Sequence, residues 1–275
     1  MRILVSADME GATGVTCPQD VAPGSEQWQR FRRMLTSDTN AAIEGFLAAG
    51  ADEVLVNEAH STMRNILLEE LDPRAAMLSG RHKPLGMMEG VLQADAVAFV
   101  GYHTGSGEPG VLAHTYLGTG LLRLRINGEP ASEGRLNALL AAEAGVPVVL
   151  VTGDDLTCRE AAEWAPHART VAVKTCVSRY AAVCLPAVRT AGLIREAAAG
   201  SLRPAGRPQA VPRGPWHFEL EFVATQLADA CTAVPTVEAV GPRAVAFTAE
   251  RMYDGMRCFR ALTQLATAAR EPGFD

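Results

Sequence analysis

The sequence predicts an α/β protein: a mostly parallel sheet flanked by helices, with a smaller α/β subdomain at the C-terminal end. Three observations predict it. Short β-branched runs alternate with longer segments of helical spacing. Residues 96–101 are apolar throughout, as a strand buried on both faces must be. Residues 201–215 hold four prolines and two glycines, which marks a linker between residues 1–200 and a compact remainder, 216–275.

The elements follow in order. Residues 3–7 form the first strand. Residues 28–49 carry Phe31, Leu35, Ala42, Ile43, Phe46 and Leu47 at helical spacing, with Gly50 as the stop. Strands follow at 53–57 and 96–101. Residues 121–126 alternate leucine with arginine, a half-exposed strand that turns at Asn127-Gly128. A helix at 133–144, a strand at 146–152, a helix at 156–164, a strand at 170–174 and a helix at 186–199 complete the larger part. Beyond the linker, 217–223 alternates, with Phe218, Leu220 and Phe222 on one face. Strands at 236–240 and 244–248 and a helix over 250–269 end the chain.

Composition excludes several classes of function. With 48% hydrophobic and 20% charged residues, the 275-residue chain is neither disordered nor fibrous. A net charge of −6 and a pI near 5.6 exclude general affinity for nucleic acid or an anionic membrane surface. No apolar run approaches membrane-spanning length, and the opening Met1-Arg2-Ile3-Leu4-Val5 lacks a signal-peptide pattern. Six scattered cysteines without a CxxC read as ordinary thiols of a reducing cytoplasm. Only Lys83 and Lys174 among the 25 basic residues are lysine, which reads as compositional bias and not as function.

In an open α/β sheet, function collects at the carboxyl ends of the strands. The first strand ends in Asp8-Met9-Glu10-Gly11, the second in Asn57-Glu58-Ala59-His60, and the third in Gly101-Tyr102-His103. Pro109 to His114 adds a fourth group, and Glu133, in the first turn of a helix, a fifth. Asp8, Glu10, His60, His103 and Glu133 offer hard oxygen and borderline nitrogen with no thiolate, a set that suits Zn²⁺ or Mn²⁺ better than Mg²⁺. Five ligands exceed the usual three of one open catalytic zinc, so two ions about 3.5–4 Å apart, bridged by a carboxylate, are expected.

The remaining polar features have structural readings. His82, His167 and His217 lie in surface turns or on polar faces. Gly153-Asp154-Asp155 caps a helix. Lys174 and Arg179 are expected in an interface or a structural ion pair. The glycine-rich 101–107 lacks the Gly-Lys-Ser/Thr ending of a phosphate loop. Two-metal sites also serve phosphoryl transfer, so an amidase, a phosphoesterase and a non-catalytic metal-binding module stay open on these residues alone.

Asp8-Met9-Glu10-Gly11, Asn57 to His60, Gly101-Tyr102-His103, Val111 to Thr115 and Glu133 to Asn137 together resemble the zinc-dependent D-aminopeptidase family over nearly the whole chain. The resemblance implies a metallo-aminopeptidase that hydrolyses peptides or amides with an N-terminal, D-configured residue. It implies two Zn²⁺ per subunit, bridged by Asp8 and completed by Glu10, His60, His103 and Glu133, with His114 as the catalytic group. It further implies a homo-oligomer, a decamer in the family, acting on small peptides; the cysteines place it in the cytoplasm. The site then lies in residues 1–200. Ala7, Glu58, Ala59 and the loop 104–108 depart from the family pattern; they spare the ligands and touch the surroundings of the pocket.

Overall fold

The computed structural model describes residues 1–202 and 213–271; residues 203–212 of the expected linker lie outside the described residues. The chain runs β1 (Arg2–Ala7), α1 (Pro18–Val21), α2 (Glu26–Ala48), β2 (Glu53–Glu58), β3 (Ala76–Leu78), β4 (Ala96–Val100), β5 (Leu121–Ile126) and β6 (Glu129–Pro130). It continues through α3 (Glu133–Glu143), β7 (Val148–Asp154), α4 (Asp155–Trp164), β8 (Arg169–Ser178), β9 (Ala181–Cys184) and α5 (Ala187–Ser201). Then come β10 (Trp216–Phe222), α6 (Thr225–Cys231), β11 (Glu238–Gly241), β12 (Ala244–Ala249) and α7 (Met252–Ala268).

The first sheet has the order β3-β2-β1-β4-β7-β8-β9 and is parallel except for β9. Its central strands are buried on both faces because side chains alternate between two cores. Ile3, Val5, Ala98 and Val100 pack towards α2 and α5, whereas Leu4, Val97 and Phe99 join the core that includes the second sheet and α7. Strand order reverses beside β1: the chain steps outward to β2 and β3, then returns to its other side with β4. The carboxyl ends of β2, β1 and β4 are therefore neighbours at a topological switch point.

The second sheet, β11-β12-β10-β5-β6, is antiparallel. β10 pairs with β12 on one side and with β5 on the other, so residues on both sides of the linker build one layer. The reason is burial: the Phe218–Leu220–Phe222 face is continued by Leu121, Leu124 and Ile126 in a single core. Met252, Met256, Phe259, Leu262 and Ala266 of α7, spaced at three and four residues, close that core.

Local chemistry accounts for the element ends. Ser25 caps α2 by accepting the Trp28 N–H at 2.9 Å, and Ser132 caps α3 by accepting the Arg135 N–H at 3.1 Å. The strand expected at 170–174 extends to Ser178 and turns back as β9, a hairpin that the short apolar run did not reveal. Among the described residues no helix is long and apolar enough to cross a membrane.

Candidate metal centre

Three parallel strands deliver the first three groups. Asp8 follows β1 directly, His60 lies two residues past β2 and His103 three past β4. The β1 and β4 exits cross at close range: Asp8 N–H donates to the Val100 carbonyl and Gly11 N–H to the Gly101 carbonyl, both at 2.8 Å. Glycine is required at both crossing points. A Cβ on Gly11 would stand 1.8 Å from the Tyr102 carbonyl oxygen, and Gly101, at φ +73°, would set one 2.2 Å from that of Asp8.

The carboxylates and imidazoles converge there. Asp8 sends Oδ1 to within 3.5 Å of His60 Nδ1 and Oδ2 to within 3.3 Å of His103 Nε2. Glu10 Oε2 lies 3.0 Å from His60 Nδ1. Glu133 Oε1, at the start of α3, lies 3.7 Å from His103 Nε2 and 3.8 Å from His114 Nε2. Ligand atoms of Asp8, Glu10 and His103 form one set within 4.8 Å of one another, and those of His103, His114 and Glu133 a second. All six residues singled out in the sequence are thus together, and His114 stands among possible ligands as well as beside them. His82, His167 and His217 are exposed and take no part.

Each imidazole is pinned by its outer nitrogen to a backbone carbonyl: His60 Nε2 to Val21 at 2.8 Å, His103 Nδ1 to Thr104 at 2.9 Å, His114 Nδ1 to Leu112 at 2.8 Å. Each outer nitrogen therefore carries a proton, and each inner nitrogen faces carboxylate oxygens. Asp8 Oδ2, Glu10 Oε2 and His103 Nε2 are buried without a hydrogen-bond partner. Carboxylate oxygens gathered with imidazole nitrogens across 3–4 Å need positive charge among them, supplied by protons on the rings or by a cation in their place, so these donors fit a bound cation. A histidine whose second nitrogen is held by a carbonyl is also the usual form of a metal-ligating imidazole.

The same field acts on protons. Burial opposes charge on His60 and Glu10, yet their contact outweighs it, holding Glu10 well below the usual carboxylate range and His60 well above the imidazole range. Burial also opposes charge on His103, but Glu133 and Asp8 carry it up to about 10. Burial, seconded by the charge on His103, brings His114 down to about 4. Burial pushes Glu133 up to about 7, against the pull of His103. His114 is thus the neutral ring, and with 16% of its side chain exposed against 9% or less for the others it stands at the open side.

Residues outside the candidate ligand set support the site from behind. Tyr102 donates to Ser6 Oγ at 2.7 Å, Ser6 having given its proton to the Met87 carbonyl, and accepts from Asn137 Nδ2 at 2.9 Å. Asn137 lies four residues after Glu133, a spacing that puts both on one helix face and could have disclosed the link. Asp154 caps α4 through the Thr157 N–H at 2.7 Å, as expected, and also accepts the Val111 N–H at 2.8 Å, steadying the loop that bears His114. Lys174 contradicts the expectation of an interface or an ion pair. It is buried and donates to three backbone carbonyls. Arg179 is exposed, and its carbonyl accepts the Leu112 N–H at 2.9 Å.

Comparison with known proteins adds to this geometry. A family model described as D-aminopeptidase matches residues 1–261. A curated relative, the D-aminopeptidase of Bacillus subtilis (strain 168), is 34% identical over 270 residues, covering 97% of this chain and 98% of its own. A solved structure, described as the Zn-dependent D-aminopeptidase DppA from Bacillus subtilis, a self-compartmentalizing protease, superposes with a TM-score of 0.93. That match has 33% identity and covers 97% of this chain and 98% of the other.

Proposed function

Because the chain belongs to the D-aminopeptidase family, we propose that it is a zinc-dependent aminopeptidase that removes an N-terminal D-amino acid from small peptides or amides. The observation that carries this reading is the inward convergence of three carbonyl-pinned imidazoles on unpartnered carboxylate oxygens. We assign two Zn²⁺ per chain. Asp8, whose two oxygens face two different histidines, would be the ligand shared between the two ions. Glu10, His60, His103 and Glu133 would supply the other ligands.

When bound, zinc polarises a scissile carbonyl and makes water a better nucleophile near neutral pH. The protein's own groups do the rest. His114 Nε2, unprotonated and on the open side, takes a proton during attack and returns it to the leaving amine. Its Nδ1–H stays on the Leu112 carbonyl, which fixes the ring and stabilises the transient imidazolium. Burial of Asp8, Glu10, His60, His103 and Glu133 keeps bulk water from the charged centre.

The wider reading is a homo-oligomer, on the pattern of the self-compartmentalizing relative, for which we propose a decamer, working in the cytoplasm, which the free thiols of all six cysteines favour. Residues 1–200 form the catalytic part, since every assigned ligand precedes residue 134, and 216–275 its C-terminal part. The test pairs elemental analysis with a substrate panel. Two zinc ions per chain and faster release from D- than from L-aminoacyl amides are expected. Metal-free protein of full activity, or a preference for a phosphodiester, would overturn the reading.

A further inference from the structure

Compositional bias explains why this chain has so many arginines; it does not explain where the two lysines sit. Lys83 and Lys174, the only lysines in the sequence, are both buried, 7% and 1% exposed. Lys174 reaches the loop that follows β1, and Lys83 the last two residues of β2, both strands that lead to the metal centre. Lys174, on β8, donates to the carbonyls of Glu10 at 2.6 Å, Ala12 at 3.0 Å and Val15 at 2.6 Å. Those carbonyls belong to the loop that begins with Asp8 and Glu10. Lys83 donates at 2.5 Å both to Asn57 Oδ1 and to the Glu58 carbonyl, where β2 ends two residues before His60. The Glu58 carboxylate then accepts the Asn65 N–H at 2.6 Å and its side-chain amide at 3.0 Å, and the same amide donates to the His60 carbonyl at 2.8 Å.

An ammonium group suits these positions and a guanidinium does not. The compact tetrahedral head of Lys174 meets three carbonyls that converge from one loop, and that of Lys83 meets an amide oxygen and a carbonyl of adjacent residues, whereas the planar arginine fork needs a wider and flatter opening. A buried carbonyl left without its donor is costly, so a loop bound this way keeps one shape. We propose that Lys83 and Lys174 are positioning residues of the metal centre: Lys174 sets the loop of Asp8 and Glu10, and Lys83 sets the loop of His60, in the arrangement that cation binding requires. This inference rests on the assignment of those three side chains as zinc ligands.

The test measures zinc affinity of the full-length protein by competition with a chromophoric chelator, beside the absorption spectrum of the cobalt-substituted protein. The variants are Lys174→Met, Lys174→Arg, Lys83→Met and Lys83→Arg. Phe46→Leu is the control, a core change near the amino end of β2, at the opposite edge of the sheet from the site. Each lysine variant is expected to bind zinc about 10–100-fold more weakly and to alter the cobalt spectrum, with arginine giving no rescue. The control lowers the melting temperature and leaves zinc affinity unchanged. Lysine variants that bind zinc no more weakly than the control overturn the inference and leave the metal assignment standing. Unsubstituted protein that takes up no zinc overturns both. A second measurement needs no variant to fold. In protein labelled at the lysine ζ-nitrogen, the two ammonium signals are expected to shift on zinc addition, and signals that stay in place while zinc binds overturn the inference.

Discussion

The imidazole rings of His103 and His114 lie face to face, their centroids 4.3 Å apart and their planes 9° from parallel. Charge on one ring opposes charge on the other, and the carboxylates around His103 decide which carries it. His114 is left neutral, with Nε2 unprotonated at the open side. His114→Ala is expected to lower kcat by about 10²–10⁴-fold while elemental analysis finds the zinc content of the unsubstituted protein. Zinc lost together with activity would move His114 into the ligand set.

Asp8 presents one oxygen to His60 and the other to His103. Asp8→Asn keeps the shape and removes the charge. Fewer zinc ions per chain are expected, with the circular dichroism of the unsubstituted protein. An unchanged stoichiometry would sink the bridging assignment.

At Gly11 the backbone passes so near Tyr102 that any Cβ would stand 1.8 Å from its carbonyl oxygen. Gly11→Ala must separate the β1 and β4 exits, at a cost on the order of 3 kcal/mol or more. Calorimetry should show a melting temperature lower by about 2–4 °C per kcal/mol, and the loosened crossing should weaken zinc binding as well. A variant as stable as the parent would show that this crossing does not constrain the site.

Asp38 titrates out of range because it is buried: burial pushes its carboxyl up to about 6, despite the N–H and hydroxyl of Thr13 that donate to it at 2.8 Å. Between about pH 4 and 6 the folded chain holds a proton there that the unfolded chain has lost. Stability from this group is therefore greatest below about pH 4 and declines as pH rises to about 6, by an amount on the order of 3 kcal/mol. Asp38→Asn should flatten that part of the stability profile in urea titrations at successive pH values. An unchanged slope would place the carboxyl in its ordinary range.

Much of the centre was legible from the chain because its signals are local. Asp8, His60 and His103 each follow a short apolar run, and a parallel strand delivers whatever stands just past its end to the same edge of the sheet. The helix that starts at Glu133 announced itself in the same way. The hairpin partner of β8 was not legible: Ala181–Cys184 is short and largely exposed, with no burial pattern to mark it. Nor was the shared second sheet, since nothing in residues 121–126 says which strand will lie beside them ninety residues later.

Periodicity, strand ends and ligand chemistry by themselves determined an α/β chain with a candidate oxygen–nitrogen cation site, because each is a property of a few consecutive residues. Tertiary packing alone decided which nitrogen of each histidine turns inward, since the carbonyls of Val21, Thr104 and Leu112 had first to be brought against the rings. It likewise decided that Lys174 would grip a loop more than 150 residues upstream. Burial removes water as a partner for such groups, so only the folded chain settles where their protons and charges go.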